Sequence, residues 1–231
     1  DTIIELAEAG FSNIELSGGT EYYINYEYDL LKLQDKYSIN YLVHNYFPPP
    51  TEHFMLNLSS LDDSLYQRSI KLCTKAIDLC IKLGSKKYGV HAGFLIDFVP
   101  SEAGKKITLK RVNSLQDAYR RFNDAWNILK NHAGCDLNLY VENNVFSKTN
   151  IETYQENNPF LFTDYQAWQG FSSNVGAKLL LDFAHLKVSC KSLGLDFSEE
   201  VGKLFRLTDY YHISGNDGLD DQNHSIFEDA D

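Results

Sequence analysis

The segment KLLLDFAH, residues 178–185, places Asp182 and His185 directly after a short run of apolar residues. An unbroken apolar run of this kind is typical of a strand that is buried on both faces of a parallel sheet. A carboxylate and an imidazole at its carboxyl end are side chains that bind metal ions. The segment therefore predicts a buried parallel strand over 178–181 that ends at a chemical site.

The same arrangement recurs along the chain. Strand-like runs end in His44, His91, Glu142 and His212, and a further run at 13–16 ends instead in Ser-Gly-Gly. A single such histidine is more often structural, and a lone glutamate often caps the next helix. The recurrence favours a shared site, because a parallel barrel gathers the carboxyl ends of its strands on one face. Imidazole with carboxylate suits zinc, manganese, cobalt or iron better than magnesium or calcium.

Alternation of strands and helices predicts an α/β fold with right-handed crossovers. We predict strands over 13–16, 39–44, 87–91, 137–141, 178–181 and 210–213. The predicted helices are a first one capped by Asp1, one over 26–37, one opened by a Ser60–Asp63 capping box, one opened by Ser114, and stretches near 163–173 and 197–207. A closed barrel needs eight strands. We therefore expect one domain over 1–231, a TIM (β/α)8 barrel whose strands 1 and 8 lie before Asp1 and after Asp231.

Composition narrows the class of protein. The 231 residues carry a net charge of −11, which makes nucleic acid an unfavourable partner because such binding depends on neutralising phosphates. No apolar run approaches the roughly 18 residues of a membrane span, and no secretion signal is visible, so we expect a cytoplasmic protein with no membrane partner. The four cysteines form no CxxC pair and are interpreted as core thiols. Association into a homo-oligomer stays open.

The ordered motifs HNYFPPP (44–50), GVHAGF (89–94), YVENN (140–144), LLLDFAH (179–185) and YYHISGNDG (210–218) resemble the xylose isomerase-like TIM barrels. GFSNIELSGG (10–19) is similar to the second strand of that superfamily. The superfamily contains sugar isomerases, ketose 3-epimerases and endonuclease IV, also called AP endonuclease family 2. The resemblance covers essentially the whole chain and implies a divalent metal cofactor, such as Mn, Zn or Co.

The resemblance assigns roles to individual residues. It implies that Glu142, Asp182 and His212 bind metal, and that His185 binds metal in an endonuclease-like site or contacts substrate in an epimerase-like one. His44 and His91 match the early histidines that hold additional metal in endonuclease IV. The late pair Asp221 and His224 departs from the family spacing. The family's carboxyl-terminal glutamate has no counterpart in this sequence.

Candidate substrate contacts come from residues beside these motifs. Asn143 could orient a substrate hydroxyl or only satisfy the strand-to-helix turn, and Asp217 lies in a turn-like Asn-Asp-Gly segment. Phe47 and Phe94 could stack on a sugar ring or pack at the barrel rim. All four are retained as predicted substrate-binding residues.

Three functions follow as hypotheses. The leading one is a metal-dependent isomerase or epimerase of a sugar or sugar phosphate, in which Glu142 and His185 are catalytic and Glu142 moves a proton next to a carbonyl. The second is a phosphodiesterase of endonuclease IV type that uses a multinuclear metal cluster. The third is a catalytically inactive barrel that binds a sugar or a metal.

Overall fold

A computed structural model describes residues 2–155 and 157–225, which fold into one parallel sheet covered by helices. Within this part of the chain the strands are β1 (Asn13–Leu16), β2 (Asn40–His44), β3 (Lys87–His91), β4 (Asn138–Glu142), β5 (Lys178–Asp182) and β6 (Tyr211–His212). They pair in sequence order, and every pairing is parallel. The predicted α/β barrel architecture is confirmed.

In the described ranges, one helix precedes β1, and the others lie between consecutive strands. They are α1 (Thr2–Glu8), α2 (Tyr26–Tyr37), α3 (Asp63–Leu83), α4 (Leu115–Ala133), α5 (Lys148–Tyr154), α6 (Tyr165–Val175), α7 (Phe183–Leu193) and α8 (Phe197–Leu204), with 3-10 turns at Pro100–Glu102 and Phe205–Leu207. No helix in the described ranges combines the length and apolar character needed to cross a bilayer. The predicted N-cap at Asp1 lies outside the described residues.

The main core fills the space between the sheet and its helices. On α3, Cys73, Ala76, Ile77 and Cys80 are fully buried, in keeping with the apolar spacing of that helix. Because the strands are buried on both faces, their outward residues pack against this helical layer while their inward residues reach the centre of the curled sheet. The inward layer carries the polar side chains of the site.

A second and separate apolar cluster lies among the segments that follow β3 and β4. This loop core consists of Phe94, Ile96, Phe98, Ile107, Phe146, Tyr154 and Phe160. A bridge between Phe94 and Phe160 and a hydrogen bond from Leu95 N to Pro159 O (2.7 Å) join the two segments. The loops at the carboxyl ends of the strands are therefore packed against one another.

Several local predictions need correction. The side chain that caps α3 is Asp62, which accepts a hydrogen bond from Leu65 N (2.8 Å), whereas Ser60 donates to Asp97 (2.8 Å). Helices α5 and α7 are absent from the predicted set, and α7 starts directly after β5 with Asp182 as its N-cap. Cys135 is exposed rather than a core thiol, while the other three cysteines are buried.

Candidate metal centre and adjoining cavity

Seven polar side chains converge at the carboxyl ends of the strands. We call this set the strand-end ring: Glu15, His44, His91, Glu142, Asp182, His185 and His212. Each strand contributes because parallel strands end at the same edge, and α7, which follows β5, adds His185. The structure thus brings together the six residues that the sequence predicts as metal ligands, and adds Glu15.

Glu142 lies at the centre of the ring and is almost completely buried. Its Oε2 is 3.0 Å from His44 Nε2 and 3.4 Å from His91 Nε2, and its Oε1 is 2.9 Å from His212 Nδ1. Burial raises the pKa of Glu142, but the imidazoles of His91 and His44 outweigh it and hold the pKa well below its ordinary value. Glu142 is therefore an ionised carboxylate surrounded by imidazoles.

The two carboxylate oxygens of Asp182 have different roles: one caps a helix and the other faces the strand-end ring. Oδ1 accepts a hydrogen bond from His185 N (2.8 Å) and so caps α7, which contributes about 1 kcal/mol to helix stability. Oδ2 faces the ring, 3.9 Å from His212 Nδ1 and 4.0 Å from His185 Nδ1. Burial raises the pKa of Asp182. The cap fixes the direction in which the second oxygen points.

The two ring nitrogens of His185 have different partners: one is hydrogen-bonded to the backbone and the other faces Asp221. Nδ1 donates to the carbonyl of Asn143 (2.9 Å), which leaves Nε2 3.4 Å from Asp221 Oδ1. Burial lowers the pKa of His185, but Asp182, Asp221 and Glu142 raise it to about 10. By contrast, burial lowers the pKa of His91 to about 4, so His91 is a neutral imidazole at neutral pH.

Glu15 is the member of the ring that sequence reasoning missed. Its Oε1 is 2.9 Å from His212 Nε2, and it accepts a hydrogen bond from the hydroxyl of Tyr210. Burial lowers the pKa of His212, but Glu142 and Glu15 raise it to about 10. The signal in the sequence was the alternation Ile14-Glu15-Leu16, in which buried apolar neighbours leave the carboxylate facing the opposite side of the strand.

The donor atoms of the ring fit a divalent transition metal. Three overlapping groups have ligand atoms within 4.8 Å of one another: Glu15, His44 and His212; His44, His91 and Glu142; and Glu142, Asp182 and His185. Several polar atoms of these residues are buried without a well-formed hydrogen bond to any described residue, including Glu142 Oε2, His91 Nδ1 and His212 Nε2. Buried polar atoms normally have partners, and nitrogen with carboxylate oxygen suits zinc, manganese or cobalt.

Two spaces open from the strand-end ring. An open cleft of about 520 Å³ lies over the ring itself. A second cavity of about 170 Å³ shares His91, His185 and Asp221 with that cleft and extends into the loop core. We call this second space the apolar cavity, because its wall includes Met55, Leu56, Phe94, Phe98, Ile107 and Phe160.

The predicted substrate-binding residues have different surroundings. Phe94 lines the apolar cavity, whereas Phe47 is part of the main core and contacts Tyr26 edge to face. Asn143 uses its side chain to pair with the backbone of Asp182, donating to the carbonyl (3.0 Å) and accepting from the amide (2.7 Å). Asp217 is exposed and accepts a hydrogen bond from Leu219 N (2.8 Å). Phe47, Asn143 and Asp217 thus line neither the apolar cavity nor the open cleft.

Asp221 and His224, the late pair of predicted metal ligands, lie in different surroundings. Asp221 borders both spaces and approaches His185. His224 forms an isolated bridge with Gly215, and its exposed ring lies 3.1 Å from Gln222 Oε1. The predicted metal role of His224 is therefore unsupported by its position, while Asp221 is a neighbour of the ring.

Comparison with known proteins agrees with this architecture. The sequence matches the family described as xylose isomerase-like TIM barrel over residues 3–229. No curated protein matches it. Similar solved structures include a D-tagatose 3-epimerase-like protein (17% identity, TM-score 0.67, 95% of this chain and 73% of that one). They also include a D-psicose 3-epimerase with D-fructose (16% identity, TM-score 0.61, 92% of this chain and 66% of that one). A third is a 3-keto-D-glucoside 4-epimerase from E. coli (14% identity, TM-score 0.63, 93% of this chain and 73% of that one).

At these identities the likeness to solved structures shows the fold alone, and the chain spans about two thirds to three quarters of their length. The family match extends over nearly the whole sequence and agrees with the six parallel strands. The chain therefore belongs to the xylose isomerase-like TIM barrel family.

Proposed function

We propose that the protein is a metal-dependent isomerase or epimerase of a sugar. The observation that carries the proposal is the buried Glu142, whose two oxygens face three imidazoles at 2.9–3.4 Å beside an open cleft. Such a carboxylate can bind a metal and accept a proton from bound substrate. Proteins of similar fold bear the names of sugar epimerases, which supports the same reaction class.

Glu142, Asp182 and His212 would hold the metal, with His44 and His91 close enough to complete or extend the site. A bound divalent ion supplies Lewis-acid polarisation of a carbonyl, which acidifies the neighbouring carbon. The depressed pKa of Glu142 keeps its carboxylate ionised, and this is the form that accepts a proton. His185 presents Nε2 toward the substrate space and would donate to a substrate oxygen.

Hydrogen exchange between substrate and solvent tests the proposal. Protein loaded with Mn²⁺, Co²⁺ or Zn²⁺ is incubated in D₂O with D-fructose, D-psicose, D-tagatose or L-ribulose. We expect deuterium at the carbon next to the carbonyl of at least one sugar, observed by NMR. The variant Glu142→Gln should reduce exchange by roughly 10²- to 10⁴-fold, the typical contribution of general base catalysis.

Glu200→Gln is the matched control, because Glu200 is another buried carboxylate and contacts Tyr165 N (2.7 Å) outside the ring. Exchange should persist in this variant. Undiminished exchange in Glu142→Gln would contradict the proton transfer assigned to Glu142, and no exchange with any metal or sugar would contradict the proposed proton-transfer reaction.

The second candidate is a metal-dependent phosphodiesterase of endonuclease IV type. It is favoured by the three overlapping ligand groups, which provide donors for more than one ion. The net charge of −11 opposes binding of a polyphosphate. Metal-dependent cleavage of an oligonucleotide containing an abasic site, without exchange in the sugar panel, would establish this function instead.

A further inference from the structure

The apolar cavity extends the site beyond the reach of the strand-end ring. It begins at His91 and His185 and continues between the segments that follow β3 and β4. Most of its wall is aromatic or aliphatic, and Phe94, Phe98, Ile107 and Phe160 come from the loop core. A sugar bound over the ring would therefore present one of its substituents to an apolar surface.

The volume of the cavity limits the size of the substituent that it can hold. It measures about 170 Å³. A dry protein cavity of about 150 Å³ lined by leucine, isoleucine and phenylalanine accepts benzene. The apolar cavity can thus hold one six-membered ring, which exceeds the requirement of a methyl group or a single hydroxymethyl arm.

The walls of the cavity are held in place before any substrate binds. Asn144 Nδ2 donates to Ala92 O (2.7 Å) and Leu161 O (2.9 Å), which ties the two loop segments together. Asn150 accepts from Ile107 N (2.9 Å) and donates to Lys105 O (3.0 Å), which holds the outer wall. Binding would therefore require little ordering of the loops.

Three buried side-chain atoms of the cavity lining have no hydrogen-bond partner among the described residues: Asn45 Oδ1, His91 Nδ1 and Asp221 Oδ1. His91 belongs to the strand-end ring and Asp221 faces His185, so Asn45 is the one outside that group. Only 5% of Asn45 is exposed. The backbone of Asn45 is fixed by a hydrogen bond from its amide to Gly89 O (2.8 Å). A buried acceptor of this kind is costly unless something donates to it. A sugar hydroxyl is a suitable donor.

The charged residues of the cavity lining indicate whether the cavity suits a phosphate group. Among the described lining residues, Lys105 is the only lysine or arginine, and it is an exposed residue. Phosphate sites usually combine several cationic or backbone donors around the oxygens. His185 also lines the cavity, but its Nε2 lies 3.4 Å from the Asp221 carboxylate, which would repel a phosphate. The cavity thus favours an uncharged group over the phosphate of a sugar phosphate.

We infer that the substrate is a neutral sugar that keeps a carbonyl and carries a ring-sized apolar substituent on another carbon, and that this substituent occupies the apolar cavity. The inference rests on the proposed function for the identity of the reacting sugar. It adds Asn45 as a residue of the cavity wall that accepts a hydrogen bond from a sugar hydroxyl.

Binding of two glucosides to the metal-loaded protein tests the inference. Phenyl β-D-glucoside and methyl β-D-glucoside both lack a free carbonyl, so their dissociation constants, measured by calorimetry, report binding alone. We expect the phenyl compound to bind at least about tenfold more tightly, because its ring removes apolar surface from water. D-Ribulose 5-phosphate should bind more weakly than the phenyl compound.

Ala103→Phe would fill the cavity from an exposed position and should reduce the preference for the phenyl compound to about twofold or less. Ser101→Phe is the matched control, since Ser101 lies on the adjoining 3-10 turn but outside the cavity lining, and it should keep the preference. Asn45→Ala should weaken both glucosides by a similar factor.

Equal binding of the two glucosides, tighter binding of the phosphate, or a preference that Ala103→Phe leaves intact would overturn the inference. The proton-exchange experiment is independent of these outcomes. Phenyl-selective binding without exchange in any sugar would leave the cavity assignment standing and remove the proposed function. Exchange without phenyl selectivity would support the proposed function and overturn the cavity assignment.

Discussion

Glu15 on β1 and His212 on β6 are in contact, with 2.9 Å between Glu15 Oε1 and His212 Nε2. These strands are the first and the last of the described sheet and share no hydrogen-bonded pairing within it. The contact therefore spans the inside of the curled sheet. It orients the imidazole whose other nitrogen lies 2.9 Å from Glu142 Oε1.

Replacing Glu15 should weaken metal binding without removing a ligand from the Glu142 group. A carboxylate that orients a metal-binding histidine typically contributes about 10- to 100-fold to metal affinity. We expect Glu15→Gln to lose affinity for Mn²⁺ or Co²⁺ in that range, measured by calorimetry on metal-free protein. Glu21→Gln, at an exposed loop position, is the control. Unchanged affinity in Glu15→Gln would show that His212 does not depend on Glu15.

Metal binding should stabilise the folded protein. An ion at about 100 times its dissociation constant adds about 2.7 kcal/mol to the free energy of unfolding, provided that it binds only the folded state. A chelator should reverse this gain in thermal denaturation experiments. Asp182→Asn and His212→Ala should lose most of it, whereas His132→Ala should keep it because His132 pairs with Asp78 on the surface. An equal gain in all variants would place the ion elsewhere.

Two glycine substitutions should have opposite effects. A Cβ at Gly89 would lie 2.6 Å from Leu180 Cδ1 and 2.8 Å from His44 Nδ1, so Gly89→Ala must displace the histidine or the sheet. We expect a loss of about 1–3 kcal/mol in unfolding free energy. Gly202 lies inside α8, where an added methyl group would have no atom within 4 Å apart from its chain neighbours and the backbone of its own helix, so Gly202→Ala should gain about 0.5–1 kcal/mol. Urea denaturation measures both, and a neutral Gly89→Ala would contradict the packing of β3.

The thiols should differ in reactivity. Burial raises the pKa values of Cys73, Cys80 and Cys190 to about 12, so these thiols are protonated at neutral pH and enclosed. Cys135 is exposed. We expect a thiol reagent to label one cysteine in the native protein at about pH 7–8 and all four in denaturant, by the dependence of reactivity on thiolate and access. Cys135→Ser should abolish native labelling, and fast labelling of the other three would contradict their burial.

The strand ends were predictable because each combines an apolar run with a polar residue that follows it. The bounds of β1 and β3 match the predicted ones, and the other strands differ by one residue or so at their ends. Helix α7 escaped prediction because Asp182 ends β5 and caps α7 at once, which leaves no turn residues between them. The residue that marks the end of the strand is therefore also the residue that marks the start of the helix.

The ring was predictable in large part, since the topology of a parallel sheet brings strand ends together regardless of their separation in sequence. Glu15 was missed because it precedes the end of its strand. The roles of Asn144 and Asn150 could not be predicted, because their partners lie in loops whose paths depend on tertiary packing. The same holds for the apolar cavity.

The loop core and the main core are distinct clusters, and the described members of the loop core include none of the seven ring residues. A substitution at Phe98 or Ile107 therefore alters the wall of the cavity while the sheet that carries Glu142 keeps its packing. The separation of the two clusters therefore lets the shape of the cavity be altered by substitution independently of the sheet that carries the strand-end ring.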